Sequence, residues 1–252
     1  MSTLEHGHRP QEIRRRLAAG HRPSYLPAAI LGGIDGCVTT IAVVASVAGA
    51  GLPGVIAFVL GVASLVADGF SMGVSNYQAV KSEGDARERL RRQEERHIDQ
   101  VPEGERDEVR AIFESKGFEG DALERIVDTI TEDRQRWIDV MIQEEHGLPL
   151  HGPSPSIAGL ATFTVFLAVG SLPLLPFLVP LINGGGYFVA SGLTALIALF
   201  GIGYAKGVVL DMPRWRAGLE TMLMGGGAAV IAFLFGFFLE PLIGGLRLDQ
   251  PV

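Results

Sequence analysis

At 252 residues, with 48% hydrophobic residues, 33 glycines and only 19% charged residues, the chain has the composition of a membrane protein carrying a polar insertion, not of a soluble globular domain. The formal net charge of -7 belongs mainly to one segment, because 20 of the 28 acidic residues fall between Glu83 and Glu145. An acidic balance of this kind argues against a nucleic-acid partner.

The first stretch, MSTLEHGHRPQEIRRRL, is arginine-rich but has no apolar core followed by a small-residue cleavage site, so the first spanning segment is expected to target the chain. Stretches long enough to cross roughly 30 Å of hydrocarbon, about 20 residues each, lie near residues 28 to 50, 53 to 80, 155 to 180, 187 to 209 and 217 to 241. Arg14, Arg15, Arg16 and Arg22 precede the first, and Lys206, Arg214 and Arg216 bracket the join between the fourth and fifth. Positive flanks stay in the cytoplasm, so the N-terminus and the acidic segment are expected there. AGAGLPG, LINGGG and the tail are expected on the opposite side.

In the first span, Asp35 stands in an otherwise apolar run beside the lone Cys37, which reads as small apolar filler. A carboxylate in hydrocarbon costs roughly 3 kcal/mol or more and usually marks an ion or proton pathway. Asp68 in the second span repeats the signal, and Ser64, Asp68, Met72 and Asn76 recur every four residues as a polar stripe on one helix face. At a rise of about 1.5 Å per residue, Asp35 and Met72 lie at similar depth. Carboxylate, thioether and amide ligands together suit a divalent transition ion.

The second span runs into KSEGDARERLRRQEERHID without a proline, so its helix is expected to continue, with Gly84 the one weak point. Breaks are predicted at Val101 and Pro102 and at Lys116 and Gly117, giving a compact three-helix module with Val109, Ile112 and Phe113 on an apolar face. Glu94 and His97 are three apart, as are Glu105 and Glu108, while Met141 and Glu145 are four apart. Each pair shares a helix face and can chelate, although so acidic a segment yields such spacings readily. In the third span, Pro173, Pro176 and Pro180 predict a kink or an early end. Gly32, Gly33, Gly36, Gly61 and Gly225 to Gly227 permit close helix approach in a bundle.

The run GGIDGCVTTIAVVASVAGAG, then LVADGFSMGVSNYQAVKSEGD, and finally WIDVMIQEEHGL resembles the vacuolar iron transporter family across nearly the whole chain. The resemblance implies an all-α membrane protein with five transmembrane helices and a cytoplasmic three-helix metal-binding insertion between the second and third. It implies a homodimer that exports ferrous iron, with manganese and other divalent ions, from the cytoplasm across a vacuolar or bacterial cell membrane in exchange for protons. Iron, manganese or zinc would be bound as cargo, with no prosthetic group and no enzymatic step. By the same resemblance, Asp35 and Met72 match membrane metal ligands, and Glu94, His97, Glu105, Glu108, Met141 and Glu145 match a cytoplasmic metal-collecting site. Two positions depart from the family pattern. Ser64 stands where many members carry a glutamate, with Asp68 one turn further as a replacement carboxylate, and His97 stands where they carry another.

The expected organisation is therefore a cytoplasmic segment at 1–25, two spans at 26–83, the acidic module at 84–150, three spans at 151–242 and a tail at 243–252. Two rival readings remain open at this point. Glu94 and His97 could be half of a di-iron ferroxidase centre, which needs a second such pair. The chain could also be a membrane-anchored acidic scaffold in which Asp35 and Asp68 only hold the bundle together.

Overall fold

The computed structural model describes residues 9–19, 23–179 and 186–248, and every described element is helical. LINGGG up to Gly185, Pro180, Arg22 and tail residues 249–252 lie outside the described residues. Among the described residues the nine α-helices are α1 (Pro10–Ala19), α2 (Leu26–Gly49), α3 (Gly54–Gln100), α4 (Pro102–Ser115), α5 (Gly120–Thr131), α6 (Arg134–Val140), α7 (Pro155–Gly170), α8 (Gly186–Val209) and α9 (Arg214–Leu248). They fall into two compact units, one of residues up to Ser24 with Leu90–Pro153, the other of Tyr25–Arg89 with the chain from Ser154 onward.

Among the described residues, five helices are long and apolar enough to cross a membrane. Buried positions concentrate on α2, where Gly32, Gly33, Gly36, Cys37, Thr40, Ile41, Val44 and Val47 are all covered. Glycine makes that burial possible. A methyl group at Gly32 would lie 2.3 Å from the carbonyl oxygen of Thr162 in α7, and one at Gly36 would lie 2.5 Å from that of Phe166. At the other end, α2 and α9 exchange the same contact, since methyls at Gly49 and Gly236 would each fall 2.1 Å from a carbonyl of the opposing helix. Backbones this close gain dispersion contacts that lipid tails cannot supply.

Polar side chains fasten the seam. Asn76 on α3 donates to Thr162 Oγ1 at 2.7 Å and to the Ala158 carbonyl at 3.3 Å, and Thr162 donates to the Ala28 carbonyl of α2 at 3.2 Å. The prolines act as the sequence predicts: α7 stops at Gly170 and a 3-10 segment, Leu172–Leu178, completes the crossing. Sixteen residues of α-helix reach only about 24 Å, so the tighter segment supplies the remaining span. Ser191 of α8 donates to the freed Pro173 carbonyl at 2.6 Å, which satisfies backbone that water cannot reach.

Helix α3 is unbroken through Gly84 for 47 residues, about 70 Å, and belongs to both units. The fifth crossing ends at Leu242, as expected, while its helix, with Pro241 inside it, runs on to Leu248, and α1 is a helix that the sequence pattern did not announce. In the other unit, Ile98, Val109, Leu123, Val127, Ile130, Trp137, Ile138, Met141 and Ile142 form one apolar core, with Ile112 and Phe113 packed against it. α4 ends as its Lys and Gly predict. Gly117 takes φ +92°, the Phe118 amide donates back to the Phe113 carbonyl at 3.2 Å, and the two rings meet at 6.1 Å. This is the Schellman arrangement, complete with its hydrophobic contact.

The glycine seam gives a direct test. Gly32→Ala is expected to lower stability by about 1–3 kcal/mol through overpacking against backbone that cannot yield. Gly201→Ala, where nothing lies within 4 Å, should be neutral or slightly stabilising. Thermal unfolding of the two variants in detergent checks the contrast.

Candidate metal centre

Two groups of carboxylates stand out, one in each unit. In the spanning unit, Asp35 on α2 and Asp68 on α3 are half-buried and close enough to feel each other's charge. The Ser64 hydroxyl, at the position where a glutamate was expected, donates to Asp68 Oδ2 at 2.6 Å. Serine and aspartate therefore form one polar patch. Met72, one turn along α3, is half-buried and packs against the apolar cluster around Cys37 and Phe166. The Cys37 thiol points elsewhere, toward the Ala195 carbonyl at 3.6 Å.

The second group lies where the end of α3, the start of α4 and the turn after α6 come together. Glu94 and Glu105 are only 1% and 2% exposed, far below what acidic side chains usually tolerate. His97 Nδ1 sits 3.1 Å from Glu105 Oε1, and His146 Nε2 sits 2.9 Å from Glu94 Oε1. The other oxygen of each glutamate is buried with no hydrogen-bond partner. Such an orphaned carboxylate oxygen carries a desolvation penalty that a cation would remove.

Ligand-type atoms of Glu94, His97 and Glu105 lie within 4.8 Å of one another, and so do those of Glu94, Glu145 and His146. Glu94 belongs to both triads. Residues Met141–Glu145 form a turn of π-helix, closed by the His146 amide on the Met141 carbonyl at 3.2 Å. Just at its end, two successive residues, Glu145 and His146, both reach Glu94, and such irregular turns are common at functional sites. Gly147 at φ +63° ends it.

Of the residues singled out in the module, Glu94, His97, Glu105 and Glu145 are brought together, and Glu108 acts on Glu105 through its charge. Met141 is fully buried in the apolar core with Ile138 and Val109. His146 was missed. Its position next to Glu145 in QEEHGL offered a signal, but adjacent residues on a helix diverge by about 100°, and the pairing of His146 with Glu94 is a contact across 52 residues of sequence.

Burial, then the charges of Glu108 and Glu94, push the Glu105 carboxyl up to about 7, with His97 pulling it back. Glu145 is raised by burial, opposed by His146 and reinforced by Glu94 and Glu108. Chemically, the arrangement is a hard oxygen cage with two imidazoles, suited to a divalent transition ion. For the empty protein the sign is clear. A carboxyl raised from 4.5 to about 7 favours the fold below pH 4.5 and loses that contribution as pH climbs through 7. Glu105→Gln should therefore flatten the fall in stability between pH 5 and pH 8 in metal-free buffer, by an amount on the order of 3 kcal/mol. Chemical denaturation at the two pH values measures it.

The chain matches the family described as the VIT family over residues 26–237. It is 34% identical over 234 residues to vacuolar iron transporter 1 of Eucalyptus grandis, covering 88% of this chain and 92% of the relative. Against vacuolar iron transporter 1 of Arabidopsis thaliana the identity is 37% over 210 residues, covering 81% and 82%. A vacuolar iron transporter of Toxoplasma gondii is 29% identical over 257 residues, covering 92% and 82%. With five helices fit to cross a membrane and a family match that spans most of its length, this chain belongs to the VIT family.

Proposed function

We propose that this protein is a membrane transporter, not an enzyme, that moves ferrous iron, and manganese or other divalent transition ions, out of the cytoplasm in exchange for protons. The observation that carries the reading is the pair of buried glutamates, Glu94 and Glu105, each holding one oxygen toward histidine and one without a partner. The names of the relatives, vacuolar iron transporters in plants and a protozoan, supply the cargo.

In this reading the acidic segment is a cytoplasmic module of residues 84 to 150. Glu94, His97, Glu105, Glu108, Met141 and Glu145 collect the hydrated ion, and the local negative field raises its concentration there. Carriage across the bilayer falls to Asp35, Asp68 and Met72. Asp68, hydrogen-bonded to Ser64, takes the role of the missing glutamate and trades a proton for the metal. The host membrane is vacuolar or a bacterial cell membrane, with the N-terminus cytoplasmic and, after five crossings, the C-terminus opposite. A homodimer would cover part of the outward apolar surface of α3 and α9, where Val59, Val66, Phe70, Phe235 and Phe238 are exposed.

The ferroxidase alternative needs a second glutamate and histidine three apart. His146 follows Glu145 directly, so the second group does not supply that pair. A scaffold would have no use for orphaned carboxylate oxygens at its core.

Flux of ferrous iron into inside-out vesicles under an imposed proton gradient tests the transport reading. Asp35→Ala and Asp68→Ala should each abolish uptake, and undiminished uptake by both would overturn it. Joint replacement of Glu94 and Glu105 by glutamine should weaken apparent affinity while leaving the maximal rate largely intact. Uptake should also weaken as cytosolic-side pH falls below about 7, where Glu105 holds its proton.

A further inference from the structure

His146 is the most enclosed imidazole of the module, with its side chain 19% exposed, and it lies within 3.7 Å of a Glu145 oxygen as well as 2.9 Å from Glu94. His97 belongs with Glu94 to the other group, against Glu105. Each triad around the shared glutamate thus holds one imidazole and two carboxylates. We propose that His146 is a metal ligand of this site and that it, together with His97, sets the metal preference of the protein, ranking zinc and cobalt ahead of manganese. The inference rests on the reading of the module as a metal-collecting site and adds the residue and the selectivity that this reading leaves open.

Two observations support it independently of each other. A histidine that only neutralised Glu94 would leave nothing further to satisfy, yet Glu94 Oε2 and Glu105 Oε2 remain buried without partners, one in each of the two groups nearest the imidazoles. The placement of Glu145 and His146 is the second. These successive residues each bring a ligand-type atom within 4.8 Å of Glu94. Nitrogen donors then decide the chemistry. Carboxylates alone suit manganese and other hard ions, whereas imidazole gains more from the later ions of the first row, so each substitution of nitrogen for oxygen widens the gap.

The test uses the full-length protein in detergent, metal-free at the start, with zinc and manganese as the two probes. Competition titration of His146→Asn, which keeps a hydrogen-bond donor for Glu94, should show zinc affinity falling about tenfold or more, the scale of loss seen even for groups one step removed from a metal. Manganese affinity should change by much less. X-ray absorption at the zinc edge should show imidazole scattering in the wild type, reduced in His146→Asn, reduced likewise in His97→Glu, and absent when both are changed. Equal weakening of zinc and manganese, or undiminished imidazole scattering in His146→Asn, overturns the proposal and makes His146 a structural partner of Glu94. The parent reading fails separately, if zinc and manganese bind as tightly after Glu94→Gln and Glu105→Gln are combined.

Discussion

Carboxylates held near one another away from water repel, and only a proton or a cation relieves that repulsion. Both units of this chain impose the condition. In the spanning unit Asp35 and Asp68 face each other's charge from neighbouring helices. In the module Glu94 and Glu105 are sealed to within 2% of full burial, and Glu108 and Glu145 add their charges to them. A fold that accepts this cost in the empty state is poised to recover it when a divalent ion arrives, which is the thermodynamic basis of a binding site. In the proposed reading, the raised carboxyl of Glu105 would make proton and metal competitors for the same oxygens.

Holding charges that way requires rigid walls, and the walls have different origins. Around Asp35 the rigidity comes from backbone contact, with Gly32 and Gly36 flanking the aspartate and pressed against α7. A side chain at either glycine would push α7 away and open the bundle beside the carboxylate. In the module, the wall is an ordinary apolar core, in which Val109, Met141 and Ile138 pack together. Surface ion pairs such as Arg134 with Asp99 at 2.6 Å and Arg110 with Glu124 at 2.8 Å tie its helices together, although exposed pairs of this kind contribute little each. Apolar packing supplies most of the stability there.

Much of the architecture could be read directly from local pattern. The hydropathy runs, the proline-broken third crossing, the break at Val101 and Pro102, the stop at Lys116 and Gly117, and the unbroken passage through Gly84 all follow from rules that act within a few residues. Other features follow no such rule. Helix α1 is short and polar, with Ile13 and Leu17 its only large apolar residues. Helix α9 runs beyond the crossing, past Leu242, because extending a helix costs little once the preceding turns are formed.

By itself the sequence determined that the chain is helical, has five segments able to cross a bilayer, and carries aspartates where hydrocarbon would ordinarily forbid them. It also named Glu94, His97, Glu105 and Glu145 as chelating candidates, because three- and four-residue spacing on a helix is a local property. Only the tertiary structure decided that Glu94 stands at the meeting point of two triads. It alone placed Met141 in the apolar core and brought His146 to the glutamates. These are contacts between segments up to 52 residues apart, fixed by how helices pack, and they are not encoded in the periodicity of any single stretch.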